Sequence, residues 1–197
     1  SQAKEYEIYP DSIQQWENSI LFLVKEAIEK RLIILEESQL FNDFSGDIEK
    51  LGNYQVKICD QNIQNSNTLR RYFSWTAPQA FGTKGASMGL GDRLGLASPG
   101  HIRTVEDTRI RPVLAQQSIR ELNLTHRDYR QVLDAASWAV FQEGYRDGFG
   151  ADGDHLKRPE DVQMALDLGF SMITLDCSEY IDNSIPDLDL EELNNKY

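Results

Sequence analysis

The sequence predicts an α/β fold of the (β/α) barrel type, holding the first half of a TIM-like barrel, preceded by a small N-terminal α+β segment. Three observations carry this expectation. From Phe81 onward, apolar runs of strand length alternate with amphipathic helical stretches at a spacing of about 30 residues, the period of parallel strands joined by helical crossovers. Polar residues stand at the end of every one of those runs. The composition, 40% hydrophobic and 26% charged over 197 residues, is that of a globular chain with a sizeable core.

Residues 1–76 read as the small α+β domain and residues 77–197 as four β/α units with an acidic tail. In the first part, "SILFLV" (19–24), "RLIILEE" (31–37) and "YQVKICD" (54–60) have the length and branching of strands. Residues 13–35 fit a helix nearly as well, because Trp16, Ile20, Leu23, Val24 and Ala27 keep helical spacing.

The second part begins with "MGLGDRLGLA" (88–97), a glycine-rich strand candidate. In the following "SPGHIRTVED", Ser98 can cap a helix and Pro99 suits its first turn. "IRPVLAQQ" (110–117) is a second strand ending in two amides. "RDYRQVLDAASWAVFQEGYRDG" carries a helical stripe of Tyr129, Val132, Leu133, Ala136, Val140 and Phe141, which Gly144 or Gly148 can terminate. "GFGADGDHLK" reads as the third strand. "RPEDVQMALDLG" reads as a helix with Pro159 at its start, Glu160 and Asp161 in its first turn and Gly169 as its stop. "FSMITLDCS" (170–178) is the fourth strand.

Asp92 and Arg93, Gln116 and Gln117, Asp154 and His155, and Asp176 fall at the four strand ends. A barrel gathers such ends at one mouth, whereas an open sheet gathers its site at a single switch point, so the repeated polarity favours the barrel. Four strands are half a barrel. The expectation is therefore an N-terminal portion of a longer protein, or a half-barrel completed by association as a homo-oligomer.

The net charge of −12 argues against nucleic acid as a partner, and no apolar run nears the ~20 residues that span a bilayer. Acidity concentrates in residues 151–197, with 12 acidic against 3 basic side chains. A small anionic substrate is compatible with this, because local arginines outweigh the net sign at close range. Cys59 and Cys177 form no disulfide framework and no metal-ligand spacing, which fits a reducing cytoplasm.

The densest ionisable cluster lies in "FGADGDHLKRPEDV" (149–162). Strand alternation puts Asp152 and Asp154 on one face and Gly153 and His155 on the other, unless a bulge re-aims one of them. At such a bend a metal ligand and an adjacent general base can both reach the mouth. Imidazole with carboxylate suits Zn, Mn, Fe or Ni as the divalent cation. The competing reading is a solvated turn in front of a helix. An EF-hand is excluded, because the twelfth position is Gln163.

"GLGDRLG" lacks both nucleotide-loop spacings, yet its backbone amides can approach an anion with Arg93 beside them. Gln116 and Gln117 suit sugar hydroxyls, with one of the pair facing away. His101 reads as a capping or core histidine, Glu143 as a solvated carboxylate, and Trp138 and Phe141 as core.

"FGTKGASMGLGDRLGLASPGHIR", "PVLAQQSIRE", "VLDAASWAVFQEGYRDGFGADGDHLKRPED" and "MITLDCSEYI" together resemble the tagaturonate epimerase family, over roughly residues 77–182. The resemblance implies a metal-dependent interconversion of D-tagaturonate and D-fructuronate in hexuronate catabolism. It implies that Asp154 is the proton acceptor and His155 a metal ligand. The family's proton donor and remaining ligands would follow Tyr197, so this chain alone is expected to be inactive. Arg93 and Lys157 are candidates for the substrate carboxylate by their places beside strand ends.

The two sugar acids differ at C3, which is β to the C5 ketone, so simple enolisation does not invert it. A retro-aldol route does. Asp154 takes the C3 hydroxyl proton, the C3–C4 bond opens, the aldehyde rotates and the bond re-forms, with a cation stabilising the enediolate. Direct deprotonation at C3 is the rival. Other readings are an aldolase or isomerase acting on a different sugar acid, and a non-catalytic sugar-acid sensor or scaffold.

Overall fold

The structure, a computed structural model, describes residues 6–196. The first part is built from strands β1 (Tyr6–Ile8), β2 (Gln14–Trp16), β3 (Ser19–Glu26) and β4 (Glu29–Leu35). Helix α1 (Gln39–Asp43), strands β5 (Asp47–Leu51) and β6 (Tyr54–Asp60), and helix α2 (Ile63–Tyr72) follow. The strands form an antiparallel sheet in the order β1-β3-β4-β6-β5, with β2 also on β3. The helical spacing of residues 13–35 is overridden. Ala27 takes a left-handed backbone (φ 56°) in a two-residue hairpin turn, and Leu21 and Leu23 pair with Ile34 and Leu32 on the buried face. Short polar elements such as β5 and α2 gave little apolar signal in the sequence; α2 is announced only by its cap, the Asn62 side chain accepting from the Asn65 N–H.

The second part contains β7 (Ser87–Gly89), α3 (Ser98–Val105), β8 (Arg111–Ser118), α4 (Ile119–Thr125) and α5 (Tyr129–Gln142). It continues through β9 (Gly150–Leu156), α6 (Pro159–Leu168), β10 (Met172–Leu175) and α7 (Leu190–Lys196). The four strands are parallel and stand in chain order, β7-β8-β9-β10, with no reversal among them. This is an α/β fold with one parallel and one antiparallel sheet. No helix among the described residues is long and apolar enough to cross a membrane.

Helix α5 joins the two cores. Val132, Leu133, Ala136, Ala139 and Val140 pack toward the parallel sheet. Trp138 and Phe141 enter the core formed by Leu21, Leu23, Leu32, Ile34 and Phe41 of the antiparallel part. The Trp138 Nε1–H donates to Ser66 Oγ at 2.8 Å, and Arg70 lies 2.7 Å from Asp134 in a largely buried ion pair between α2 and α5.

Several sequence expectations need correction. The glycine-rich strand ends at Gly89, and residues 91–97 form a loop. Ser98 is not the cap of α3 but its first residue. The long helix begins at Tyr129, where its apolar stripe starts, but a separate helix, α4, absent from the sequence expectations, precedes it. His126 ends α4 in a left-handed conformation (φ 54°) and Asp128 restarts the chain with a capping box to Gln131. Glu143 is not solvated. Its side chain is 6% exposed and paired with Arg103.

Candidate functional site

The carboxyl ends of β7, β8 and β9 surround an open pocket of about 690 Å³ lined by Gly91, Asp92, Arg93, Gln116, Asp154 and His155, among others. An adjoining hollow shares Arg93, Glu121, Asp154 and His155 with it. The loop 91–97 on one side is shaped by Asp92. Its Oδ1 accepts from the N–H groups of Leu94, Gly95 and Leu96, and its Oδ2 from those of Ala97 and Ser98 and from the Ser98 hydroxyl. Burial pushes the Asp92 pKa up, but the donors of Ser98, Leu96 and Ala97 outweigh it and hold the carboxyl below its ordinary value. The Asp92 carboxylate therefore occupies the backbone nest that the sequence offered to a substrate anion. Arg127 braces the loop from below, donating to the Asp92 carbonyl at 3.0 Å.

Asp154 and His155 both line the pocket although they are consecutive strand residues. Gly153 fixes the sheet face on one side: a Cβ there would meet Leu156, Ile173 and Ala165, so it points into the helix layer and Asp152 and Asp154 point the other way. His155 breaks the alternation by adopting a left-handed backbone (φ 54°), where the β9–β10 register also shifts. The bend brings its Nε2 within 3.7 Å of Asp154 Oδ1, with the imidazole 62% exposed and the carboxylate 18%. Burial raises the Asp154 pKa. His155 opposes the rise, and the Asp152 and Glu121 carboxylates add to it. A carboxylate held above its ordinary pKa is a stronger base than a free one.

Gln116 also lines the pocket, packed against Gly89 and Gly91, where any Cβ would collide with it. Its neighbour Gln117 does not. It is fully buried on the helix side, where its amide donates to Thr125 Oγ1 and accepts from Arg127. Arg93 reaches the rim but is paired with Glu121, which at the same time accepts from the Ser118 N–H in the capping box of α4. Lys157 lies outside the pocket wall, bonded to Glu179 at 2.9 Å and 3.7 Å from Asp176. Arg93, Gln116, Asp154 and His155 are thus brought together, while Gln117 and Lys157 are directed elsewhere. Glu121 joins the site unannounced, although the spacing S-x-x-E from Ser118 was a visible capping signal.

For a divalent cation, Asp154 and His155 offer one anionic oxygen and one imidazole nitrogen, a suitable pair of donor types. Among the described residues, no group of three or more His, Cys, Asp or Glu side chains is arranged to hold a metal. The pair fits a cation as a partial donor set.

A family model for tagaturonate epimerase matches residues 9–197, so the match extends through the N-terminal part that the sequence motifs left out. A tagaturonate/fructuronate epimerase from Thermotoga maritima is 40% identical over 195 residues, covering 99% of this chain and 40% of the relative. The native crystal structure of a fructuronate-tagaturonate epimerase from Cohnella laeviribosi superposes with a TM-score of 0.91 at 50% identity, over 98% of this chain and 39% of that one. A glycerol complex of the same Cohnella enzyme gives the same TM-score. The chain thus spans about two fifths of the length of these relatives.

Proposed function

This chain belongs to the tagaturonate epimerase family, and we propose that it supplies the base-bearing part of an active site that interconverts D-tagaturonate and D-fructuronate. The observation that carries the proposal is the convergence of Asp154 and His155 on one pocket through the left-handed turn at His155. The sequential parallel order of β7 to β10 supports reading the second part as the first half of a TIM-like barrel, with the site at its carboxyl-end mouth.

In this reading Asp154 accepts the C3 hydroxyl proton of the sugar acid, and its raised pKa suits that task. Loss of that proton opens the C3–C4 bond, because C3 bears a hydroxyl β to the ketone. Rotation of the aldehyde before the bond re-forms inverts C3, and Asp154 returns the proton to the new hydroxyl. Gln116 orients a substrate hydroxyl. His155 contributes one ligand to a divalent cation, whose other ligands would come from the part of a relative's length that this chain does not span. When bound, that cation supplies positive charge to stabilise the enediolate.

The test is a chimera in which this chain replaces the matching segment of the Cohnella laeviribosi enzyme, assayed on D-tagaturonate with and without added divalent cation. Cation-dependent formation of D-fructuronate, abolished by Asp154→Asn and by His155→Ala, supports the proposal. An active chimera indifferent to both substitutions overturns it.

A further inference from the structure

We propose that Asp152 is a positioning residue that locks the Gln116 amide in one orientation at the pocket wall, so that Gln116 reads a hydroxyl of the polyol substrate. The proposal rests on the sugar-acid reading of the pocket and adds to it a determinant of substrate recognition.

Asp152 is fully buried within the parallel sheet. Its Oδ2 accepts from Gln116 Nε2 at 3.1 Å and from Thr174 Oγ1 at 2.7 Å, a bridge across β8, β9 and β10. Its Oδ1 is buried and finds no hydrogen-bond partner among the described residues. A carboxylate removed from water with one oxygen unsatisfied is costly, and an apolar side chain would serve the sheet better. Stability alone therefore does not account for it.

The bridge does account for the orientation of Gln116. A glutamine amide can turn by half a rotation and exchange its donor and acceptor ends. A carboxylate only accepts, so the end facing Asp152 must be the NH₂. The amide as a whole lies against Gly89, where a Cβ would collide with its Oε1, Cδ and Nε2 alike. Asp152 thus sets which end of the amide faces it, and Gly89 leaves the room in which that orientation fits. Its second N–H and its Oε1 make no other side-chain hydrogen bond among the described residues. Together they offer a donor and an acceptor to a group that can both accept and donate, which is the chemistry of a hydroxyl.

Two variants disturb the clamp from opposite sides. Asp152→Asn removes the obligate acceptor, and Gly89→Ala displaces the amide without touching the buried charge. Nitrogen-15 NMR of this chain, with the Gln116 side-chain resonance assigned by its loss in Gln116→Glu, reads the clamp without any need for turnover. The expected result is a distinct Gln116 amide whose protons exchange at least about ten-fold more slowly than those of exposed glutamines. Both variants return it to the exposed range. An ordinary, unprotected Gln116 amide in the unsubstituted chain overturns the proposal, as does a resonance unmoved by both variants.

The substrate half is read in the active chimera. Each variant is expected to raise KM about ten-fold, the equivalent of one lost oriented hydrogen bond. In Gly89→Ala kcat stays nearly unchanged, whereas Asp152→Asn also removes a carboxylate that raises the Asp154 pKa and so lowers kcat. A purely structural Asp152 would lower stability and leave KM alone, and that outcome overturns the recognition role. An unsubstituted chimera without activity overturns the epimerase reading and this recognition role together, while the NMR result still decides whether the clamp exists.

Discussion

The Asp154 carboxylate lies 3.7 Å from the His155 imidazole on one pocket wall, although consecutive strand residues ordinarily face opposite sides of a sheet. The left-handed backbone at His155 produces this, and a non-glycine residue holds that conformation at a cost of about 1–2 kcal/mol. Strain of this kind, located where two reactive side chains meet, is common at functional sites.

The strain separates the chemistry of His155 from its structural cost. Glycine accepts the left-handed conformation freely and alanine does not. His155→Gly is expected to be more stable than His155→Ala by about 1 kcal/mol in urea unfolding, while both remove the imidazole. Equal stability of the two variants would argue against a strained turn.

Asp92 is expected to be the most costly carboxylate to remove from the pocket rim. Asp92→Ala leaves the N–H groups of residues 94–98 without their acceptor and uncaps α3, a loss of about 2–4 kcal/mol. The pH dependence follows from its lowered folded-state pKa. The stability it contributes is fully present above the ordinary aspartate value and is lost as pH falls through the lower folded value. Unfolding free energies measured across that acid range should fall less steeply in the variant than in the unsubstituted chain.

The Arg70–Asp134 pair ties the antiparallel part to α5. Burial raises the Asp134 pKa and Arg70 opposes the rise, so removing Arg70 strands a poorly solvated carboxyl. Arg70→Met is expected to cost about 3 kcal/mol, and adding Asp134→Leu should recover part of it. A double-mutant cycle with additive losses would contradict the coupling.

The proposed route has an isotopic signature. Retro-aldol epimerisation keeps the original hydrogen on C3, so product formed in deuterium oxide should carry none of the solvent label there. Deuterium at C3, seen by proton NMR or mass spectrometry, would establish direct deprotonation instead.

Much of this architecture was legible in residue patterns. The strands around "PVLAQQ" and "GADGDHL" and the helix from Pro159 to the Gly169 stop stand where periodicity and punctuation put them. Other features depended on contacts between distant residues, which no local pattern encodes. The alternation at 154–155 is broken by a backbone choice of His155, an infrequent residue in that conformation. Gln116 and Gln117 are chemically identical in sequence, and only the β8 register sends one to the pocket and the other to Thr125 and Arg127. The loop at 91–97 resembled an anion cradle because it is one, already filled by Asp92. Lys157 is held by Glu179 and Asp176, acidic residues that follow β10 and that no pattern around Lys157 announces.

The most direct test of the paired site is a crystal structure of the chimera grown with manganese or zinc, in which anomalous scattering locates the cation. A peak is expected within coordination distance of a ring nitrogen of His155, about 2.0–2.1 Å for zinc, with Asp154 oriented into the same pocket. A cation bound elsewhere, with the His155 ring directed into solvent, would contradict it.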